Sequence, residues 1–348
     1  MTLDDHGGWP SVLGALSEGE DISSDAAEAV LATVLAGEAT DAQLSAFLVA
    51  LRQKGETVEE MSGLVRAMRA AAVPLKVPDH TVDLVGAGGS QLGREAALNV
   101  STMASFVAAG AGAAVCKHGN RKASSTSGSF DVLEALDVRI ELAPEGVERC
   151  VAEIGIGFAF ARTFHPAMRF AGPVRAQLGI PTVFNILGPL SHPGQLTRQV
   201  VGVPSIETGR RMAEVLAATG STRAMVVTGD GGLDELSVTG ENTIHEIRGD
   251  EVTTVTLKPR DLGLAESDPT SLHGGDAAAN AAIAHRIFGG EVGPQRDIVV
   301  LNAAAGLVTS GVSPDMVDGC ERAAASIDSG AAAAKLAALV ELTAELGD

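Results

Sequence analysis

The sequence predicts an α/β fold, in which a small N-terminal helical bundle precedes a large α/β domain with a mainly parallel central sheet. Residues 9–72 show only the hydrophobic periodicity of helices. From Val82 onward, short β-branched runs alternate with helical segments, which is the pattern of a parallel sheet. The 348 residues, 45% of them apolar, are enough for two domains.

Two helix starts are visible in the N-terminal part. Thr40 precedes an apolar stripe that ends at Gly55, and Thr57 with Glu60 forms a capping-box pattern. Such helices with short loops predict a bundle. The stripe is interpreted as its core, with a dimer face as the alternative for part of it.

A connector marked by prolines follows the bundle. Pro74 and Pro78 interrupt the helical pattern just before the first strand signal. We therefore expect a helical domain over residues 1–76 and an α/β domain over residues 77–348.

The stretch that follows has the features of a phosphate site. Val82–Val85 predicts a buried strand, and Gly86, Gly88 and Gly89 follow it at once. Asn99, Ser101 and Thr102 then stand where an Ala-rich helix should begin. Glycine turns and helix N-termini both present free N–H groups, which suit phosphate.

A second strand and polar loop strengthen this interpretation. Val115–Lys117 predicts a strand that leads into a loop containing Lys117, His118, Asn120 and Arg121. Loops that follow neighbouring parallel strands face each other at one sheet edge, the usual ligand crevice. Hydroxyl donors in the next segment are Ser124, Ser125, Ser127 and Ser129.

The alternation of strands and helices continues to the C-terminal part. Residues 162–166 are expected to form a loop and residues 166–179 one helix, while the segments around Asn280 and Asn302 are interpreted as helix packing. Further strands are predicted at Phe158–Phe160, Val200–Val203, Ala224–Thr228, Thr243–Arg248 and Glu251–Leu257, the last two as a hairpin.

An acidic pair, Asp234 and Glu235, lies just past a predicted strand. Acidic pairs in loops are mostly solvated surface. At the carboxyl end of a strand they are also plausible ligands of Mg²⁺, which prefers oxygen and is often shared with substrate phosphates.

Composition narrows the possible partners. The net charge of −19 makes a nucleic-acid backbone or an anionic membrane an unfavourable partner. Three cysteines without metal-ligand spacing indicate a reduced, cytoplasmic protein. The acidic start is unlike a signal peptide, and no apolar run has the length of a membrane span.

Taken together, these motifs resemble the anthranilate phosphoribosyltransferase family over nearly the whole chain. Val85–Ser90 resembles the family's GTGGD loop, Asn99–Thr102 its N-x-S-T and Lys117–Arg121 its KHGNR. Residues 160–193 resemble its FAPxxHP…PVRxxLG…FNxLGPL segment. Asp234-Glu235 corresponds to a DE that binds magnesium in the family.

The resemblance implies a nucleoside phosphorylase/phosphoribosyltransferase fold, with the helix over 166–179 packed on the bundle. It also implies a cytoplasmic homodimer that acts in tryptophan biosynthesis and uses Mg²⁺ as cofactor. The reaction would displace diphosphate from 5-phosphoribosyl 1-diphosphate by the amine of anthranilate, with no covalent nucleophile.

The resemblance also assigns residues to each ligand. The donor would be bound by Gly86, Gly88, Gly89, Ser90, Asn99, Ser101, Thr102, Lys117, His118, Gly119, Asn120, Arg121, Ser124, Ser125 and Ser129. The acceptor would be bound by Gly86, Asn120, Arg162, His165, Met168, Phe170 and Arg175, with Arg175 pairing with its carboxylate. The metal would be held by Ser101, Asp234 and Glu235.

Several positions depart from the family pattern. Ala87 and Ser90 replace a threonine and an aspartate of the loop, Arg162 replaces a proline, and Phe170 replaces a histidine. Three hypotheses therefore stand: a housekeeping anthranilate enzyme, a paralogue that ribosylates another aromatic acid or amine, and a non-catalytic binding protein on the same fold. The net charge and the retained Asp234–Glu235 pair argue against the third.

Overall fold

The computed structural model describes residues 1–88, 98–121 and 127–347. Four helices form the N-terminal bundle, and Thr40 and Thr57 cap two of them as predicted, in capping boxes with Gln43 and Glu60. The bundle helices are α1 (Gly8–Ser17), α2 (Ser24–Leu35), α3 (Asp41–Lys54) and α4 (Val58–Ala70).

The described residues after the bundle form seven strands, and the mainly parallel sheet predicted from the sequence is confirmed. They are β1 (Asp83–Gly86), β2 (Val115–Gly119), β3 (Ile156–Phe160), β4 (Arg198–Gly202), β5 (Arg223–Thr228), β6 (Asn242–Arg248) and β7 (Glu251–Leu257). The order β1-β4-β5-β6-β7 forms one sheet, parallel from β1 to β5, with the predicted antiparallel hairpin at its edge.

Strands β2 and β3 form a separate parallel pair that continues this sheet. Val82 joins the two, because its N–H donates to the Ala114 carbonyl and its carbonyl accepts from the Cys116 N–H, at 2.9 and 3.0 Å. Strands β1 and β2 are thus neighbours with the same direction. Their carboxyl ends open at the same edge, as a ligand crevice requires.

Eleven further helices are described. They are α5 (Val100–Gly110), α6 (Ser129–Ala135), α7 (Pro144–Ile154), α8 (Ala161–Phe164), α9 (Gly172–Leu178), α10 (Phe184–Leu190), α11 (Ile206–Ala218), α12 (Ala277–Phe288), α13 (Pro294–Ser310), α14 (Met316–Asp328) and α15 (Ala331–Glu345). Helices α5 and α13 share one hydrophobic cluster with Leu84 and Val200, whereas the bundle and α11 share another with Val201 and Val226. Alternate residues of β4 therefore face two separate cores.

Two local predictions are wrong. Residues 162–166, expected to be a loop, include the short helix α8. Residues 166–179, expected to be one helix, divide into the 3₁₀ turn Pro166–Phe170 and α9. Pro173 explains the break, because proline has no N–H for the preceding turn and its ring clashes with that turn. Both pieces still contact the bundle, the turn at α2 and α9 at α3.

In the described ranges, none of the individual helices has both the length and the apolar character needed to span a bilayer. Helices α14 and α15, which meet at 63°, satisfy the length and composition criteria only as a bent pair.

Candidate active site

The acidic pair packs against two glycines at the carboxyl ends of β1 and β4, Gly86 and Gly202, which together are called the glycine floor. A Cβ at Gly86 would stand 2.9 Å from Oδ2 of Asp234, and a Cβ at Gly202 only 1.8 Å from its main-chain oxygen. The Gly88 N–H donates to the same Oδ2 at 2.8 Å. Gly88 has φ +72°, a conformation that favours glycine. The glycine loop and the acidic pair are therefore one structural unit.

Glu235 contacts the start of α5. Its Oε1 accepts from the Ser101 N–H at 3.3 Å, and the Ser101 hydroxyl also hydrogen-bonds to its carboxylate. The structure thus brings together the three predicted metal ligands, Ser101, Asp234 and Glu235. The hydroxyl oxygen of neighbouring Thr102 is buried and has no hydrogen-bond partner among the described residues.

The electrostatics of this pair suit a cation. Burial raises the pKa of Asp234. Burial and the adjacent Asp234 together raise the pKa of Glu235 to about 7. Both pKa values are raised, which means that too little positive charge lies nearby to offset the burial of two adjacent carboxylates, and Mg²⁺ prefers oxygen ligands of this kind. The residues present therefore fit the magnesium ion that the resemblance implies.

Lys117 is the nearest counter-charge but is fully enclosed. It is 2% exposed, and its ammonium donates to the Leu84 carbonyl. Burial lowers its pKa, whereas Asp83, Glu235 and Asp234 act in the opposite direction. The charge of Lys117 thus acts on Asp234 and Glu235 from inside the protein.

The next residue, His118, is also buried. Its Nδ1 lies 2.6 Å from Oδ2 of Asp83, and its Nε2 lies 2.9 Å from the carbonyl oxygen of Gly188. Asp83 was not among the residues predicted for the site. A charged residue inside an apolar strand was the available signal, because a buried carboxylate requires partners.

Two asparagines of the segments predicted to pack helices, Asn280 and Asn302, are buried and also contact the site. Nδ2 of Asn280 donates to Oδ1 of Asn99 at 2.7 Å. Asn302 exchanges two hydrogen bonds with the main chain of Leu236, the neighbour of Glu235. Helices α12 and α13 therefore hold the N-x-S-T segment and the acidic pair in place.

In the described part of the polar loop after β2, Asn120 and Arg121 are exposed, whereas Ser127 is buried. The Asn120 carbonyl accepts from the hydroxyl of Ser129, which approaches Gly119 so closely that a Cβ there would be 2.4 Å from its Oγ. Arg121 pairs with Glu134 at 2.8 Å. The predicted donor residues Gly89, Ser90, Ser124 and Ser125 lie outside the described residues.

The predicted acceptor residues occupy the joint between bundle and sheet. Burial lowers the pKa of Arg175, and its guanidinium lies 5.1 Å from the ring centre of Phe184. His165 hydrogen-bonds to the main chain of Ser191, and burial lowers its pKa to about 4. With Met168, it lines a small void beneath α4.

Two further predicted acceptor residues, Arg162 and Phe170, are exposed. Arg162 lies on α8. The Phe170 ring covers Gly37 of the bundle, where an added Cβ would be 2.6 Å away, and it stacks with Arg169. Phe170 therefore contributes to the contact between the 3₁₀ turn and the bundle.

The N-terminal part of the chain and the larger part that follows it match two family models. The helical bundle domain of the glycosyl transferase family matches residues 10–72, and its a/b domain matches residues 78–333. The anthranilate phosphoribosyltransferase of Rhodococcus jostii (strain RHA1) is 50% identical over 344 residues, which cover 97% of this chain and 94% of that protein. The one of Arthrobacter sp. (strain FB24) is 49% identical, with 96% of each chain covered.

Solved structures give the same match. The anthranilate phosphoribosyltransferase of Thermus thermophilus superimposes with a TM-score of 0.90 at 42% identity, covering 95% of this chain and 99% of that one. The Saccharomyces cerevisiae enzyme in complex with PRPP and Mg superimposes with a TM-score of 0.87 at 27% identity, covering 97% and 98%.

Proposed function

The chain belongs to the anthranilate phosphoribosyltransferase family, and from this premise we propose that it transfers the 5-phosphoribosyl group of 5-phosphoribosyl 1-diphosphate to the amine of anthranilate. Diphosphate is released, and the product enters tryptophan biosynthesis. One observation supports the proposal most directly: the Asp234–Glu235 pair contacts both the glycine loop and the N-terminus of α5.

The donor site is proposed at this junction. The Gly88 N–H and the first turn of α5 both contact the acidic pair. Free N–H groups at a helix start attract phosphate oxygens. Asn99, which contacts Asn280 and the Ser127 carbonyl, holds the helix start against the neighbouring loop.

The metal is proposed to bind through Asp234, Glu235 and Ser101. When bound, Mg²⁺ supplies positive charge that neutralises the departing diphosphate. The chain's own contribution is to keep the two carboxylates adjacent, which the glycine floor and the hydrogen bonds from Gly88 and Ser101 achieve.

The acceptor is proposed to bind beside α10. Arg175 would pair with the aromatic carboxylate, because a planar guanidinium binds a carboxylate through two parallel hydrogen bonds. Its contact with the Phe184 ring holds the guanidinium beside α10. The amine attacks as its neutral form, so positioning contributes more to the rate than a general base.

A paralogue that uses a different aromatic acid is the second candidate function. The observation in its favour is Arg162, an exposed cation where the family pattern has proline. A second guanidinium would suit an acceptor with an additional acidic substituent.

Diphosphate release separates these candidates. The purified protein is mixed with 5-phosphoribosyl 1-diphosphate, Mg²⁺ and a panel of aromatic acids, and rescue of an anthranilate-transferase-deficient strain is scored in parallel. Efficient use of anthranilate together with rescue supports the first function. Efficient use of another acid without rescue supports the second, and the absence of diphosphate release with every acid contradicts both.

Three further predictions belong to the same proposal. The chain divides into domains at residues 1–76 and 77–348. It forms a cytoplasmic homodimer through its N-terminal helices. Val49 on α3 and Ile180 just after α9 support the dimer, because both are 44% exposed and their two helices are in contact.

A further inference from the structure

Asp83 lies within β1 and is completely buried. Its Oδ1 accepts from the His118 main-chain N–H at 3.1 Å, and its Oδ2 lies 2.6 Å from Nδ1 of the same residue. Nε2 of the buried Gln199 donates to Oδ2 at 3.4 Å. Every described contact of this side chain is with a hydrogen-bond donor or with the imidazole ring, an arrangement that stabilises the ionised carboxylate.

The opposite side of the His118 ring also faces an acceptor. Nε2 lies 2.9 Å from the Gly188 carbonyl oxygen, which has no proton to give. A neutral imidazole has only one N–H group and could donate to Asp83 or to Gly188. Both contacts are satisfied together when the ring holds two protons.

Among the described residues, the titratable groups that interact with this pair are Lys117, Cys116, His192 and His165, and burial followed by the charge of His118 lowers the pKa of His165. Burial alone would raise the pKa of Asp83, but His118, His192 and Lys117 together lower it. Cys116 is fully buried, and burial keeps its thiol protonated by raising its pKa.

His192 has the opposite hydrogen-bond pattern. Its Nε2 lies 3.0 Å from the Cys116 carbonyl oxygen and so must donate, whereas its Nδ1 accepts from the Gly194 N–H at 3.0 Å. One proton satisfies both contacts, and burial lowers the pKa of His192 to about 3. Its ring meets that of His118 edge-on, with centres 5.2 Å apart.

Asp83, His118 and His192 are also close enough to hold a metal ion. Their hydrogen bonds argue against this use, because all four ring nitrogens already contact protein atoms. A metal would have to displace several of these bonds within a closed interior.

We infer that His118 is an imidazolium cation whose positioning residue is Asp83, and that this buried ion pair ties the end of β2 to Gly188 of α10. The same helix carries Phe184, against which Arg175 packs. Asp83 thereby acts on the acceptor side of the site through His118 and α10, without touching either substrate. The inferred protonation state of His118 does not depend on the proposed function, whereas the inferred effect on the acceptor rests on it.

The protonation state is tested on the intact protein labelled with ¹⁵N-histidine. At about pH 8, where an unperturbed imidazole is neutral, His118 is expected to give the spectrum of a doubly protonated ring. His192 and His245 serve as references in the same sample. Each should show one proton, since Nδ1 of His245 faces the Thr254 hydroxyl and Nε2 faces the Ile206 carbonyl. A His118→Asn variant assigns the signal.

Asp83→Asn is the decisive variant, because it keeps the shape of the side chain and removes its charge. His118 should then lose one proton. The apparent KM for the acceptor should rise about tenfold, with the donor KM within about twofold of the original value. Asp318→Asn, the same change at a helix-surface acid paired with Arg322, should alter neither the spectrum nor either KM.

Each outcome decides the inference. A singly protonated His118 in the unmodified protein overturns it, even if Asp83→Asn fails to fold. A doubly protonated ring that survives Asp83→Asn overturns the role of Asp83. If titration with Zn²⁺ changes the ¹⁵N chemical shifts of both His118 and His192, the cluster is a metal site and the inference is wrong. Loss of the second proton together with the selective change in acceptor KM supports the inference. If the spectra agree and diphosphate is never released, only the proposed function fails.

Discussion

Gly86→Ala tests whether the glycine floor holds the metal-binding carboxylate. The new Cβ would stand 2.9 Å from Oδ2 of Asp234 and 3.3 Å from its main-chain oxygen. The first contact is with the movable end of a side chain, and the second requires a shift of a few tenths of an ångström. Because Gly86 is not in the left-handed conformation, the strand itself accepts alanine. We therefore expect the carboxylate to move while the fold persists.

The magnitude follows from the hydrogen bond that is lost. The displaced carboxylate gives up its 2.8 Å contact with the Gly88 N–H. A hydrogen bond to a charged group contributes about 1.5–3 kcal/mol. If that bond is needed to hold Asp234 against the metal, the apparent affinity for the magnesium–donor complex should fall about 10- to 150-fold.

Calorimetric titration of the donor at several Mg²⁺ concentrations measures this effect, and thermal unfolding is followed in parallel. Gly14→Ala in α1 is the matched control, because nothing lies within 4 Å of its added Cβ. It should keep wild-type donor binding. Gly202→Ala marks the other extreme: its Cβ would overlap the Asp234 backbone, and it should destabilise the fold by about 3 kcal/mol. Unchanged donor affinity and Mg²⁺ dependence in Gly86→Ala would refute the metal assignment.

Three other predictions concern the rest of the site. Asp234→Ala and Glu235→Ala should each lower kcat for diphosphate release about 10²- to 10³-fold with little change in Tm, and wild-type rates at limiting Mg²⁺ would exclude the metal role. Asn280→Ala should leave Asn99 without its 2.7 Å partner, destabilising the protein by about 1–3 kcal/mol in urea unfolding and raising the donor KM; an unchanged donor KM would contradict its positioning role. Arg162→Pro should shift the ratio of kcat/KM between anthranilate and a more acidic aromatic acid about tenfold toward anthranilate, and an unchanged ratio favours the housekeeping function.

Local signals in the sequence predicted the elements that frame the site. The strand that contains Leu84 and Val85 is a short apolar run with turn residues after it, and Thr57 with Glu60 marks a helix start through their reciprocal hydrogen bonds. Such elements depend on residues close together in the sequence, so a short segment contains all the information needed to predict them. Pro173 also carried a local signal, since a proline within a helical segment indicates a break. The prediction of one helix beginning at Pro166 overlooked it.

Contacts between distant residues were harder to predict. Asn280 and Asn99 are 181 positions apart, and Asn302 reaches Leu236 across 66. Neither asparagine stands out in its own helix, where an amide is compatible with ordinary packing. Asp83 carried a stronger signal, since a carboxylate among apolar strand residues must find donors. The identity of its partner, His118, depends on how β1 and β2 are aligned along each other, which the tertiary structure shows.

The distribution of charge explains why the donor should arrive as its magnesium complex. Three carboxylates, those of Asp83, Asp234 and Glu235, lie close enough to Lys117 for its charge to act on all three. If His118 neutralises Asp83, the described residues leave the enclosed ammonium of Lys117 to act on the remaining two acids, which is consistent with the raised pKa of each. Free 5-phosphoribosyl 1-diphosphate would add negative charge to a region that already lacks positive charge. A bound Mg²⁺ reverses this repulsion, so metal and diphosphate should each strengthen the binding of the other.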